Sequence, residues 1–226
     1  DLEELELTLL IMAAITHDLG MFATEEEIKK IKSDELIIGN RKYSKVLAKV
    51  GDEQIALEEC IRPSHAKRSG EIINHVIKDN KKVLNAHNSE SSYLSHLSKI
   101  NESHNESLEW IKSNLENSVT LGRDTFNPQF IAIILRLSDW LDVDDLRTPY
   151  AIMDLLNLPS FSTQEWEKHL VISNQKKTQI NRKTDKKQIF FQGQSCDSKI
   201  HRELLKYFKS FEEELGRSIR HCSDSF

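Results

Sequence analysis

The sequence predicts a mainly α protein with a small β element toward its C-terminus. Three observations predict it. Seven glycines and four prolines in 226 residues are too few for a turn-rich β protein. Apolar residues recur at spacings of three and four through most of the chain, the period of a helix with one buried side. The clearest alternation of apolar and polar residues, HLVISNQKKTQINRKTDKKQIFFQGQS, lies beyond Pro149. With 38% hydrophobic and 30% charged residues the chain can bury a sizeable core, which excludes a disordered segment.

The elements follow in order. From Leu2 to about His17 the apolar positions first recur at helical spacing and then nearly fill the helix, as in Leu7, Leu10, Ile11 and Ala14. An element covered on most sides is expected there. Gly20 stops it. Thr24 then caps a solvent-facing helix in ATEEEIKKIK, whose acids precede its bases and so match the helix dipole. Residues 33–50 read as loop with one short helix.

GDEQIALEECIRPSHAKRSGEIINHVIKDN gives a helix up to Cys60, a break at Pro63, and a second helix with Pro63 in its first turn. On that second helix His65, Ser69, Ile72 and Val76 share one face. After the polar loop NAHNSESSY, Leu94, Leu97, Asn101 and His104 mark the apolar side of another helix. Asn127 caps, and Pro128 begins, a strongly apolar helix interrupted by Asp139 and Asp142. Beyond Pro149 two or three short strands around KTDKK are expected. An amphipathic helix from Ile200 to about Ile219 follows, with Leu204, Phe208, Phe211 and Leu215 on one side.

A net charge of −5 gives the whole chain no electrostatic reason to bind a polyanion. The lysine-rich NQKKTQINRKTDKKQ reads first as a solvated hairpin and leaves nucleic acid as a lesser candidate partner. Cys60, Cys196 and Cys222 are odd in number and far apart, so neither a disulfide framework nor a thiolate zinc site is indicated, and a reducing, cytoplasmic setting is expected. The opening apolar run is too short for a membrane span and carries no cleavage site. Because the chain opens at Asp1 inside a helical pattern, attachment to other domains of a larger protein is expected.

The chemistry lies in acids placed where burial is costly. Asp18 and Asp139 sit at the most apolar parts of their helices, and an isolated buried carboxylate protonates unless it meets a cation or a metal. His17, His65 and His104 each fall on the inward side of their own helix. Imidazole with carboxylate is a ligand set of hydrolytic metal centres. His87, in a polar loop, is the substitute for His104.

HDLG, RPSHAKRS, INESHNES and RLSDWLD, in that order, resemble the HD superfamily of metal-dependent phosphohydrolases over roughly residues 5 to 148. The two middle segments fall where the HD-GYP and cyclic-nucleotide phosphodiesterase groups add histidines for a second metal. The resemblance implies an HD helical bundle as the metal-binding core over 1–150, with 151–226 as an accessory hairpin and closing helix packed on it. It implies that His17, Asp18 and Asp139 hold one divalent ion, that Asp18 bridges, and that His65 and His104 hold the second; Mn, Fe, Mg or Zn would suit. The implied activity is two-metal hydrolysis of a phosphoester of a nucleotide or cyclic nucleotide, with Asp18 central and Arg62, Lys67 and Arg68 steadying phosphate oxygens.

Two features depart from the family pattern. No histidine precedes His17, although the family's first ligand is a histidine on the preceding helix, and Met21 stands where the HD-GYP type has lysine. The arrangement looks closer to HD domains joined to chaperone-type or other ATPase modules in large bacterial proteins. The alternatives are therefore an HD-type nuclease on single strands, or a non-catalytic regulatory HD module of such a protein.

Overall fold

The first helix shows how far apolar content and burial can part. In the computed structural model, which describes residues 2–79, 90–143, 145, 160–173, 177–181 and 186–225, α1 (Glu4–Thr16) buries Glu6, Leu9 and Ala13. Leu7, Ile11 and Ile15, on another side of it, are 48%, 51% and 74% exposed. The expectation of an element covered on most sides is thus corrected: residues three and four apart pack on one side only. Glu6 is buried but satisfied, accepting from the backbone N–H of Glu3 at 3.1 Å and of Asn127 at 2.9 Å. The second bond ties α1 to the entry of α8 (Pro128–Leu141).

A 3₁₀ turn, Leu19–Met21, leads to α2 (Glu25–Lys32), capped by Thr24 as the sequence predicts and reciprocally by Glu27. The short helix expected within 33–50 is α3 (Tyr43–Val50), and α4 (Glu53–Ile61) follows. Ile31, Ile38, Tyr43, Ala56, Cys60 and Ile61 close a small core among these three helices.

Pro63 lies in a 3₁₀ turn, Arg62–Ser64, that runs straight into α5 (His65–Asp79). The buried stripe of α5 is Ala66, Ser69, Gly70 and Ile73, whereas Val76, expected on the inward face, is 51% exposed. The cause is α6 (Glu90–Ser103), which approaches at Gly70: a Cβ there would sit 2.8 Å from the carbonyl oxygen of Ser98. Without that side chain the two helices close on the 66–70–73 line instead. Leu97, Ile100 and Asn101 are fully covered on α6.

After α7 (Leu108–Asn114) comes a hairpin that was not expected, β1 (Val119–Leu121) paired antiparallel with β2 (Asp124–Phe126). Strands of three residues show hardly any alternation, and Gly122, at φ +67°, was the only local signal for the turn. α8 starts as predicted, with the Asn127 side chain accepting from Phe130 N–H at 2.9 Å. Its Ile131, Ala132, Ile133 and Leu135 join Leu9, Ala13, Ile73, Leu97, Ile100 and Phe126 in the main core.

The chain divides into two compact units, Asp1–Asp139 with Ser218–Phe226, and Trp140–Arg217. In the second unit lie α9 (Ser160–Val171) and the expected hairpin, β3 (Lys177–Asn181) with β4 (Lys186–Phe190), in which Lys177 faces Phe190. Residues 182–185, which include the first three positions of KTDKK, lie outside the described residues. α10 (Ser198–Ser225) is the closing helix, longer than predicted, and its Ile200 and Leu204 pack with Val143 and Ile172. Trp140 stacks on Tyr207 with ring centroids 5.6 Å apart. Among the described residues no single helix is long and apolar enough to cross a membrane.

Candidate metal centre

The five residues singled out as ligands all stand at or next to helix ends. His17 directly follows α1, Asp18 opens the 3₁₀ turn, His65 begins α5, His104 directly follows α6, and Asp139 lies in the last turn of α8. In each histidine Nδ1 faces the carbonyl three residues back: Ala14 at 2.9 Å for His17, Arg62 at 2.6 Å for His65 and Asn101 at 2.6 Å for His104. A carbonyl only accepts, so Nδ1 carries the hydrogen and Nε2 is left with its lone pair. Three separate backbones thereby fix three rings in one tautomer.

Those Nε2 atoms converge on Asp18. Oδ1 of Asp18 is 3.1 Å from His65 Nε2 and 3.8 Å from His104 Nε2, while Oδ2 is 3.4 Å from His17 Nε2. His17 Nε2 in turn lies 3.7 Å from Asp139 Oδ1. His65 and His104 bring their Nε2 atoms to 2.9 Å of each other. Two bare nitrogens that close repel unless a proton or a cation lies beside them. Asp18 Oδ1, His65 and His104 also offer ligand atoms that are mutually within 4.8 Å, so this group could hold a metal ion. Its nitrogen and oxygen donors suit Mn, Fe or Zn.

The electrostatics agree with that layout. When His65 is protonated its Nε2–H donates to Asp18 and holds that carboxyl at about 2, against the opposing pull of burial and with help from His17. Asp139 raises the pKa of His17, although burial works against it. Burial also pulls His65 down, but Asp18 and the Arg62 carbonyl outweigh it and the net direction is up. Burial dominates at His104, 3% exposed, and lowers it toward the neutral form that a ligand needs.

The sequence-predicted set is thus brought together: His17, Asp18, His65, His104 and Asp139 form one connected cluster. Asp142, the other acid named at the end of this helix, is exposed. His87 lies outside the described residues. Arg68 is a correction. Its Nε donates to Gly20 O at 3.0 Å, one terminal nitrogen donates to Phe22 O at 3.0 Å, and both terminal nitrogens lie 3.3 Å from Glu27 Oε1, so this guanidinium braces the chain after Asp18 rather than waiting for phosphate. Arg62 is exposed, and its backbone carbonyl orients His65. Lys67 is exposed beside Glu71.

Residues that sequence reasoning passed over also meet here. Asn105 brings its side-chain amide to 3.3 Å and 3.4 Å from the ring nitrogens of His65. Asn101, fully buried, donates from Nδ2 to Thr16 Oγ1 at 2.7 Å, joining the helix before His104 to the helix before His17. Ser69, placed by the sequence on the His65 face of α5, is bonded to three backbone groups around the cluster. The position of Ser69 one turn after His65 was the available signal.

A cleft of about 360 Å³ opens along α5, lined among others by Ile37, Asn40, Ser64, Lys67 and Glu71. A family model, HD-CE, an HD-type domain family, matches residues 1–217. No curated protein and no solved structure matches the chain.

Proposed function

The chain belongs to the HD-CE family, and on that premise we propose that it is a metal-dependent phosphohydrolase acting on a phosphoester of a nucleotide or cyclic nucleotide. The observation that carries the reading is the approach of His65 Nε2 and His104 Nε2 to 2.9 Å beside Asp18 Oδ1, an arrangement that a cation relieves. In this reading Asp18, His65 and His104 would hold a divalent ion, and His17 and Asp139 would supply the ligands for a second beside Asp18. Such ions supply Lewis acidity, drawing the pKa of water toward neutrality and offsetting charge on phosphoryl oxygens.

The protein's own part is preorganisation. The three carbonyls behind the rings keep Nε2 bare and aimed inward, so little rearrangement is needed on binding. Asp18, with its carboxyl held at about 2, stays anionic through the whole physiological range. Arg62, exposed one turn before His65, steadies phosphate oxygens, a role that Arg68 gives up to Gly20, Phe22 and Glu27.

The test is elemental analysis and Mn²⁺ titration of the purified chain, with a hydrolysis screen over nucleotides, cyclic nucleotides and single strands. Stoichiometric metal that is lost in Asp18→Ala, together with hydrolysis lost in the same variant, is the expected result. Metal content unchanged in Asp18→Ala and His104→Ala would overturn it.

A further inference from the structure

Gly20 and Ser69 lie 49 residues apart yet are joined, backbone to side chain. Ser69, fully buried on α5, accepts from Gly20 N–H at 2.8 Å. Its single hydroxyl proton faces two carbonyls, His17 O at 2.5 Å and His65 O at 2.9 Å. One oxygen therefore touches the peptides of two cluster residues, His17 and His65, and the glycine two residues after Asp18. The other end of the Gly20 peptide is held as well, its carbonyl accepting from Arg68 Nε at 3.0 Å. Glycine is required for this approach: a Cβ on Gly20 would fall on the carbonyl oxygen of His65 and come within 2.7 Å of both Arg68 Cβ and Ser69 N.

Fixing helix packing alone would not need this choice of atoms. Burial of Ala66 and Ile73, with Ser98 Oγ of α6 donating to Gly70 O at 2.9 Å, already holds α5 in place, whereas Ser69 binds the stretch that carries the ligands. We propose that Ser69 is a positioning residue: its hydroxyl sets the spacing between the His17–Asp18 backbone and the His65 backbone, and through it the convergence of their side chains on a divalent cation. This rests on the metal reading above, and it predicts that the hydroxyl controls affinity for the ion beyond any effect on stability. Partners that orient ligands typically alter metal affinity by about 10- to 100-fold when removed.

The experiment compares the full chain with Ser69→Ala, Ser69→Cys and Ser69→Thr by calorimetric titration with Mn²⁺, thermal melting in EDTA, and histidine ring NMR without metal. Ser69→Ala is expected to bind Mn²⁺ at least about tenfold more weakly and to shift the ring resonances of His17 and His65. Ser69→Cys, which keeps the volume but makes weak, long bonds, should behave like the alanine variant, and it carries the test if alanine does not fold. Ser69→Thr, which keeps the hydroxyl, should recover most of the affinity. Wild-type Mn²⁺ affinity with unmoved His17 and His65 rings in the alanine or cysteine variant, whatever the melting temperature, overturns the proposal. Failure of the unmodified chain to bind Mn²⁺ would strike the metal reading instead, and the clamp would still be judged by the ring resonances, which must move on loss of the hydroxyl.

Discussion

The two oxygens of Asp18 look onto differently built surroundings. On the Oδ1 side His65 and His104 stand at 3.1 Å and 3.8 Å, each ring locked by a 2.6 Å bond to its own backbone, and the His104 side chain is 1% exposed. On the Oδ2 side His17 stands at 3.4 Å with a longer bond behind it, and its next partner, Asp139, is 3.7 Å away with a side chain 29% exposed. One side is tight, nitrogen-rich and sheltered; the other is looser and more open to water. A sheltered, converged donor set loses less entropy on capturing a cation, so the Oδ1 side should fill first and hold more firmly.

Removing Asp18 destroys both sides and is the largest effect expected. Asp18→Ala should weaken Mn²⁺ binding by more than about a hundredfold, since a ligand's removal exceeds the 10- to 100-fold typical of its supporting groups. Next comes the contrast itself. His104→Ala should cost about a hundredfold at the tighter of the binding events, and His17→Ala about tenfold or less at the same event. Calorimetric titration of the two variants in parallel decides it. Equal losses would mean that the two sides act as one site.

How much of this contrast was legible beforehand depends on what each feature rests on. The clustering residues were legible because an acid or imidazole on the apolar side of a helix is anomalous under any packing, and Asp18, His65, His104 and Asp139 each broke the pattern of its own segment. The sidedness of α1 was not legible: Leu7, Ile11 and Ile15 are as apolar as Leu9 and Ala13, and only the placement of α6 and α8 decides which are covered. For the same reason Val76 was misplaced, since the approach at Gly70 is a property of two helices, not of one. Arg68 was misread because a cation near a phosphate-type site invites a phosphate role, while its true partners, the carbonyls of Gly20 and Phe22, are peptide groups that every residue carries and no sequence displays. Ser69 escaped for the same reason.

Acidity sharpens the comparison further. Metal and proton compete for the same Nε2 lone pairs, and His17 and His65 both have raised pKa values, so protons win there at a higher pH than at an ordinary histidine. Mn²⁺ affinity should accordingly fall by about tenfold or more between about pH 8 and about pH 5.5. Asp18, held at about 2, takes no part in that change. An affinity that stays level until the carboxylate range would show that the imidazoles are not ligands.

The smallest effect isolates the looser side. Asp139→Asn keeps the shape of the side chain but removes the charge that raises His17. A group whose pKa is raised on folding contributes stability that is fully present below its unfolded value, about 6.5, and that is lost as pH climbs through the folded value. The contributions of His17 and His65 to the stability of the metal-free protein should therefore fall from about pH 6 to about pH 8, while His104, whose value burial lowers, contributes in the opposite sense. Since His17 and Asp139 are partly open to water, their share of that change is under about 1 kcal/mol. In Asp139→Asn that share should disappear, while His65, still facing Asp18, retains its own. Melting in EDTA at the two pH values should thus show a reduced, not abolished, difference. An undiminished one would mean that Asp139 does not act on His17, leaving the Oδ2 side with no acid beyond Asp18 itself.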